Sequence, residues 1–270
     1  MAMSLMNGKK GVIMGVANKM SIAWGITKSL ADAGAEIGFT YQGEVLEKRV
    51  RPLANEVGSD FLVECDVSSE ESIDNAFSEI EKKFGKIDFL VHSIAYSDKN
   101  ELRGKYLNTS KDNFINTMSI SCFSLVSICK RAEKIMNPNG SIVTLTYYGA
   151  EKYIPHYNVM GVAKAALEAS VRYLSVDLGE SQIRVNAISA GPIKTLAASG
   201  IGDMREILKW NSENTPLHRN TTIEEVGGSA LYLLSDLGLG TTGEVLHVDS
   251  GYHVVGMKLV DHESKNAEAE

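Results

Sequence analysis

A chain of 270 residues, 44% of them hydrophobic, buries one substantial core, and its alternating helix-like and strand-like segments predict a single large α/β domain with no second one. A formal net charge of −7 excludes a general nucleic-acid binder, because neutralising phosphates needs a concentrated basic face that this sequence lacks. No stretch suits a membrane span, MAMSLMNGKKGVIMG lacks a signal-peptide layout, and Cys65, Cys122 and Cys129 lack metal-ligand spacing and read as reduced packing residues, so the expected location is the cytoplasm.

Gly11 to Met14 predicts a short buried strand, and from Ser21 the apolar residues Ile22, Ile26, Leu30 and Ala33 recur at helical spacing until Gly34 stops the run. A second strand is expected over Glu36 to Tyr41, then a helix over Glu44 to Val57 in which Pro52 either bends the helix or marks its start. Phe61 to Cys65 makes a third strand. Ser68, with Glu71 three residues on, reads as the cap of a helix carrying the stripe Ile73, Phe77, Ile80 and Phe84. Asp88 to His92 is a fourth strand, followed by a polar, irregular segment from Ser97 to Tyr106 suited to covering a site. One long helix comes next and ends by the turn signal Asn137-Pro138-Asn139-Gly140, after which Ser141 to Thr146 returns as strand five.

A central helix then leads to a strand over Arg184 to Ser189, which Ala190-Gly191-Pro192 breaks into the run from Ile193 to Gly200, small and mobile in composition. Thr222 and Glu225 form a capping box for a helix with Val226, Ala230 and Leu233 inward, and Glu244 to Val248 is the last strand. The tail beyond Lys258 is expected to be disordered. Strands alternating with helices predict a doubly wound parallel sheet, whose ligands sit at the carboxyl ends of the strands.

Between the first strand and first helix the sequence lacks the compact Gly-x-Gly-x-x-Gly spacing, yet it meets the same physical needs. Gly15 permits a tight turn, small Ala17 lets backbone approach a ligand, and Ser21 with Ile22 opens a helix whose free N–H groups suit a pyrophosphate. Gly25 is expected to allow close helix–sheet packing. A plain structural turn with an N-capping Ser21 is the alternative reading. At the end of strand two stands Gln42, able to bond a ribose hydroxyl, with no Arg or Lys beside it, which favours NADH over NADPH; Lys48 and Arg49 keep the second open. Asp66 and Val67, ending strand three, either bond and cover an adenine or serve a helix cap. Together these features define a Rossmann-type fold.

The stretch TYYGAEKYIPHYNVMGVAK, from Thr146 to Lys164, holds three candidate catalytic groups. Tyr157 and Lys164 are seven residues apart, which on a helix returns to nearly the same face. Tyr147 lies upstream near a strand end. The alternative is that Tyr147, Tyr148, Tyr153 and Tyr157 fill a helix–sheet interface. The six histidines show no ligand spacing, and no metal site is predicted.

These residues, with HSIAYSD from His92 to Asp98, RVNAISAGPIKTLAASGI from Arg184 to Ile201 and GEVLHVDSG from Gly243 to Gly251, resemble the bacterial NAD(P)H-dependent enoyl-[acyl-carrier-protein] reductase family of the short-chain dehydrogenase superfamily, nearly end to end. That superfamily's pattern sets a Tyr four residues before the Lys and a Ser about thirteen residues before the Tyr. Here those two positions hold Met160 and Tyr147, and the available tyrosine, Tyr157, lies one turn earlier. The resemblance implies reduction of the trans-2 double bond of enoyl thioesters by NADH in fatty-acid elongation. It implies that Ser93, Ile94 and Ala95 line the nicotinamide and substrate site, that Ile193 and Thr195 meet the nicotinamide end, and that a small helical flap over residues 193–215 covers the substrate. Ala95 and Tyr147 would contact substrate, Lys164 would hold the nicotinamide ribose, and Tyr157 would donate to the enolate oxygen, its acidity raised by Lys164. A homotetramer is implied, as is docking of an acidic acyl carrier protein on Lys194, Arg205 and Lys209, among which Asp203 and Glu206 also sit. A carbonyl reductase of the same superfamily would need a hydroxyl at Met160. A non-catalytic NAD(H) sensor would have no need for Tyr157 and Lys164 together.

Overall fold

A computed structural model describes residues 4–196 and 202–257. Its centre is one seven-stranded sheet in the order β3-β2-β1-β4-β5-β6-β7. The strands are β1 (Lys10–Met14), β2 (Glu36–Tyr41), β3 (Leu62–Glu64), β4 (Ile87–His92), β5 (Met136–Thr146), β6 (Arg184–Ala190) and β7 (Val245–Val248), and every pairing is parallel. The order reverses between β1 and β4, so the chain diverges there and leaves a crevice at the strands' carboxyl ends.

Both faces of the sheet are covered, which explains why its strands read as nearly continuous apolar runs. Successive strand residues point to opposite faces. Val12 and Met14 thus join one core with Ile73, Phe77 and Ile80 of α3 (Glu70–Phe84), Leu125 and Ile128 of α5 (Ser124–Ile135), and Leu167 and Val171 of α6 (Asn158–Asp177). Ile13 joins the other, with Trp24, Ile26 and Leu30 of α1 (Ile22–Asp32), Val50 and Leu53 of α2 (Gly43–Glu56), and Val226, Ala230 and Leu233 of α8 (Ile223–Leu234). Burying each such side chain is worth about 1.5–3 kcal/mol relative to exposure. The three cysteines are free and buried, as packing residues should be.

Several sequence expectations shift by local chemistry. Ser69, rather than Ser68, caps α3, its hydroxyl accepting from the Ser72 amide at 3.2 Å. Ser68 instead donates its hydroxyl to Asp66. Gly25 serves helix–helix rather than helix–sheet packing, since a Cβ there would lie 2.2 Å from the Ile223 carbonyl oxygen at the start of α8. Pro52 sits inside α2 on its exposed side without ending it. The turn signal at Asn137–Gly140 is absorbed within β5 as a register shift against β4, with Asn139 at φ +67°. The Thr222–Glu225 capping box of α8 forms as expected, and the start of β7 is set one residue late, at Val245.

The single long helix expected before strand five is divided. α4 (Lys111–Met118) passes into a π-helical turn over Ser119–Phe123 before α5 resumes. Ser121, on that turn, accepts from the Tyr96 amide and donates to the Tyr96 carbonyl, both at 2.9 Å. Beside it, fully buried His92 meets Thr144 Oγ1 at 2.9 Å through Nδ1 and Ser124 Oγ at 2.8 Å through Nε2. The Ser124 hydroxyl also donates to the Ile120 carbonyl at 2.6 Å and the Thr144 hydroxyl to the His92 carbonyl at 3.1 Å, so the imidazole is bracketed by hydroxyls that are themselves anchored to the main chain. The segment after β4 is thereby tied to the core. Residues 204–214 form α7 (Met204–Asn214), the helical part of the expected flap, while 197–201 and the tail beyond 257 lie outside the described residues.

Candidate active site

Two joined spaces open at the carboxyl ends of the strands. The larger, a cleft of about 750 Å³, runs from the β1–α1 turn across the ends of β2, β3 and β4. The smaller, a chamber of about 320 Å³, lies under α7. They share Ile22, Ala95, Tyr96, Leu145, Lys164 and Thr195, so Lys164 stands where they meet.

The cleft is lined by Gly15, Ala17, Ser21, Ile22, Gln42, Asp66, Val67, Ser93, Ile94, Ala95, Lys164 and Thr195, which brings together nearly all the residues expected to hold a dinucleotide. Gly15 has φ +97°, and a Cβ on it would lie 1.9 Å from the Ser93 carbonyl oxygen, so only glycine lets the turn close against β4. The Ser21 hydroxyl accepts from the amides of Ala17 and Asn18, each at 3.1 Å, and holds the turn over the start of α1. It makes no side-chain cap bond to the helix, and both Ser21 and Ile22, where α1 begins, line the cleft. Asp66 does not cap α3, which Ser69 does; its carboxylate instead accepts from the amide and hydroxyl of Ser68. Hydrogen bonds from Ser68 and from Gln42 hold its carboxyl below the usual carboxylate range, and it lines the cleft. Lys48 pairs with Glu44 at 3.5 Å, and neither it nor Arg49 lines the cleft. Sequence reasoning missed Asn116, Ile120 and Leu196 on this wall.

The chamber is walled mainly by carbon: Ile22, Leu102, Leu145, Ile154, Met160, Pro192, Ile193, Met204 and Ile207, with Tyr147 and Tyr157 among them. Ile193 belongs to this chamber rather than to the cleft. Tyr157 and Lys164 do meet in one site, but not as two residues of one helix. Tyr157 is the residue before α6, with His156 at φ +59° and Asn158 at φ +38° on either side, so the chain turns sharply at the tyrosine and only then becomes helical. Asn158 fixes this turn by donating to the carbonyls of Leu102 and Gly104 at 3.0 and 3.2 Å.

Tyr157 is 7% exposed and packs with Leu102, Val159 and Met160; its ring stands edge-on to that of Tyr147, with centroids 5.0 Å apart. Two glycines make room for it. A Cβ on Gly149 would lie 2.4 Å from the Tyr157 ring, and one on Gly161 would lie 2.7 Å from the Gly149 carbonyl oxygen. Neither was legible, because nothing in the local pattern marks a contact between a short turn and a helix that follows it.

Lys164 is 6% exposed and donates to the Leu145 carbonyl at 2.7 Å. Burial pushes its pKa down to about 8, against the opposing pull of Cys122 and Glu168. Burial raises the phenol of Tyr157 well above its ordinary value, and Tyr147 and Glu168 add to the rise. The expectation that Lys164 makes Tyr157 a better acid is therefore corrected: burial sets the direction, every contributing group raises the phenol, and Tyr157 keeps its proton. Tyr147 is raised too, first by burial and then by Tyr252. Glu168, one turn beyond Lys164, accepts from Thr146 Oγ1 at 2.6 Å and pins α6 to the end of β5; burial raises its pKa. That pair was also missed. On α7, Lys209 lies 3.9 Å from Glu213, while Asp203 is engaged by His156 at 2.8 Å.

Fold and site together define a dinucleotide-binding oxidoreductase of the short-chain dehydrogenase type, with Met160 four residues before Lys164 and Tyr157 one turn earlier. The sequence pattern of the family described as "Enoyl-(Acyl carrier protein) reductase" matches residues 15–253, and the chain belongs to that family. It is 69% identical over 260 residues to "Enoyl-[acyl-carrier-protein] reductase [NADH] 1" of Rhizobium meliloti (strain 1021), covering 96% of both chains. Among solved structures it resembles the enoyl-acyl-carrier-protein reductase of Anaplasma phagocytophilum in complex with NAD, at 62% identity and TM-score 0.93, covering 96% of this chain and 99% of that one. It also resembles the Bacillus cereus enoyl-acyl carrier protein reductase with NADP+ and indole naphthyridinone, at 50% identity and TM-score 0.93, over 94% and 100% of the two chains. Among the described residues, no helix is long and apolar enough to cross a membrane.

Proposed function

We propose that this chain reduces the trans-2 double bond of enoyl thioesters carried on acyl carrier protein, using NADH, as the last reductive step of fatty-acid elongation. The observation that carries this reading is the meeting of a dinucleotide cleft and an apolar chamber at Lys164, with Tyr157 buried in the chamber wall. The chamber suits an acyl chain, because its mainly carbon lining offers hydrophobic contact.

When bound in the cleft, the reduced nicotinamide supplies the hydride that adds to the carbon β to the thioester carbonyl. Negative charge then develops on the carbonyl oxygen. Tyr157 keeps its own proton and donates its O–H as a hydrogen bond to that oxygen as the charge grows, and a proton drawn from solvent to the α carbon completes the reduction. Lys164 faces the cleft with an ammonium whose burial makes it respond strongly to nearby anionic charge; it binds the ribose and favours the electron-rich transition state. Tyr147 supports the Tyr157 ring edge-on and borders the acyl chain. Ser93, Ile94, Ala95 and Thr195 shape the junction, and Ile193 with α7 closes the chamber over the chain. Gln42, without a free cation on the cleft wall beside it, favours NADH over NADPH.

The protein works as a homotetramer in the cytoplasm. Exposed Ile115, Phe123, Val162, Tyr173 and Val176 along α4 to α6 supply apolar surface that a second copy of the chain would cover. The test of the mechanism is Tyr157→Phe. Turnover of an enoyl thioester should fall about 10²–10³-fold, with NADH affinity measured by fluorescence retained. Unchanged turnover would remove Tyr157 from its role.

A further inference from the structure

The segment from Tyr96 to Leu107, which the chemistry above does not use, forms one lip of the chamber, through Tyr96, Ser97, Lys99 and Leu102. It is rigidly held. Ser121 grips the main chain of Tyr96, Asn113 accepts from the Asp98 amide at 3.1 Å, Leu102 is buried against Tyr157, and Asn158 holds the carbonyls of Leu102 and Gly104. Its charges are sorted. Glu101 spends both carboxylate oxygens on Ser110, taking the amide and the hydroxyl at 2.8 Å each, and Asp98 accepts from the Asn100 amide at 2.8 Å. Lys99, Arg103 and Lys105 are exposed, and among the described residues none of them pairs with a carboxylate. Around them stand exposed apolar groups: Tyr96 at 51%, Tyr106 at 45% and Leu107 at 88%. On α7, which lines the chamber through Met204 and Ile207, Arg205 and Lys209 are balanced by Glu206 and Glu213, while exposed Lys194, the other candidate there, has no ion-pair partner among the described residues.

We infer that this lip, rather than α7, is the principal docking surface for the carrier protein that delivers the acyl chain. The inference rests on the enoyl reductase reading above. An acyl chain on a carrier hangs from a phosphopantetheine arm, so the carrier meets the chamber mouth with the anionic phosphodiester and the surface around it. On a chain of net charge −7, three unpaired cations at that mouth form a local positive site that draws an anionic partner in and sets its orientation. Tyr106 and Leu107 then supply the apolar contact that charge alone does not give. Arg103 and Lys105 flank Gly104, whose carbonyl is fastened to the residue after Tyr157, so docking holds the thioester in register with the donor hydroxyl.

The test reverses Arg103 and Lys105 together (R103E/K105E), since neither lines the chamber or the cleft. Two substrates are compared, a crotonyl-loaded acyl carrier protein and crotonyl-N-acetylcysteamine, which has no carrier and no phosphate. For the carrier substrate, kcat/KM should fall at least about 10-fold, mostly through KM, with loss of its salt dependence. The small thioester should change less than about 2-fold, surface exchanges of this kind being nearly neutral for the fold. Direct binding of unacylated holo-carrier, read by fluorescence anisotropy, should weaken in parallel. Equal loss on both substrates, or no loss on the carrier, overturns the proposal, as does a larger carrier-specific loss in the α7 variant R205E/K209E. Failure of the unaltered enzyme to reduce either thioester overturns the enoyl reductase reading itself and the docking surface with it.

Discussion

Gly149 is the most exacting point in the proposed site, and replacing it with alanine isolates the position of one hydroxyl. The added methyl would lie 2.4 Å from Tyr157 Cδ1 and 2.8 Å from Cε1, about 1 Å short of ordinary van der Waals contact. Neither partner can retreat freely. The ring is enclosed by Leu102, Val159 and Met160, and α6 presses on the Gly149 carbonyl through Gly161. The ring must therefore swing by about 1 Å, and misplacing a reacting group by that distance costs roughly 10²-fold in rate. Overpacking adds about 1–3 kcal/mol of destabilisation. The assay is steady-state NADH oxidation with an enoyl thioester, alongside NADH titration and a urea melt. Gly149→Ala should lose roughly 10²-fold in kcat while binding NADH normally. Combined with Tyr157→Phe, it should add less than about 2-fold to the loss from Tyr157→Phe alone, since both changes act on the same donor. A Gly149→Ala enzyme within about 2-fold of the parent, or full additivity in the double variant, would refute the packing argument.

Three further outcomes follow from buried charge and capping. Lys164 has its folded pKa depressed to about 8 from an ordinary 10.5, so between those values the unfolded chain holds a proton that the folded one has lost. Its contribution to stability therefore rises with pH across that window, and urea melts of cofactor-free protein should show the parent gaining on Lys164→Met by up to about 3 kcal/mol; a constant difference would contradict the burial argument. His92 is held down at about 3, chiefly by burial and secondarily by Lys164, against an ordinary 6.5. Stability present above 6.5 is lost as the pH falls towards 3, and His92→Gln should give a flatter acid limb in the same melts. Thr222→Ala removes the capping box of α8 and should cost about 1 kcal/mol in stability with turnover unchanged.

Much of this architecture was legible because local chemistry and tertiary structure agree. The alternation of short apolar runs with helical stripes specified the parallel sheet, β2 fell on the expected residues, and the Thr222–Glu225 box marked the start of α8. Most of the cleft residues were legible for the same reason, since Gly15, Gln42, Asp66 and Ser93 each follow a strand and strand ends gather at the crevice. Tyr157 and Lys164 were paired correctly for an incomplete reason. Helical spacing brought them together on paper, whereas the sharp turn at His156 and Asn158 does so in the molecule. Left-handed backbone at His and Asn carries no periodic signature. The acidity of Tyr157 was misjudged because a neighbouring cation is visible in sequence and desolvation is not. Gly149 with Gly161, Thr146 with Glu168, and Ser121 with Tyr96 stayed hidden because each joins segments that only the folded chain places side by side.

The measurement that bears most directly on the proposed reaction follows NADH oxidation in parallel with a trans-2-enoyl thioester and a 3-oxoacyl thioester, each repeated with NADPH. The account predicts selective consumption of the enoyl substrate with NADH, because it assigns Tyr157 as donor to the enolate oxygen while Met160 offers no hydroxyl for a ketone. Turnover of the ketone alone would contradict it.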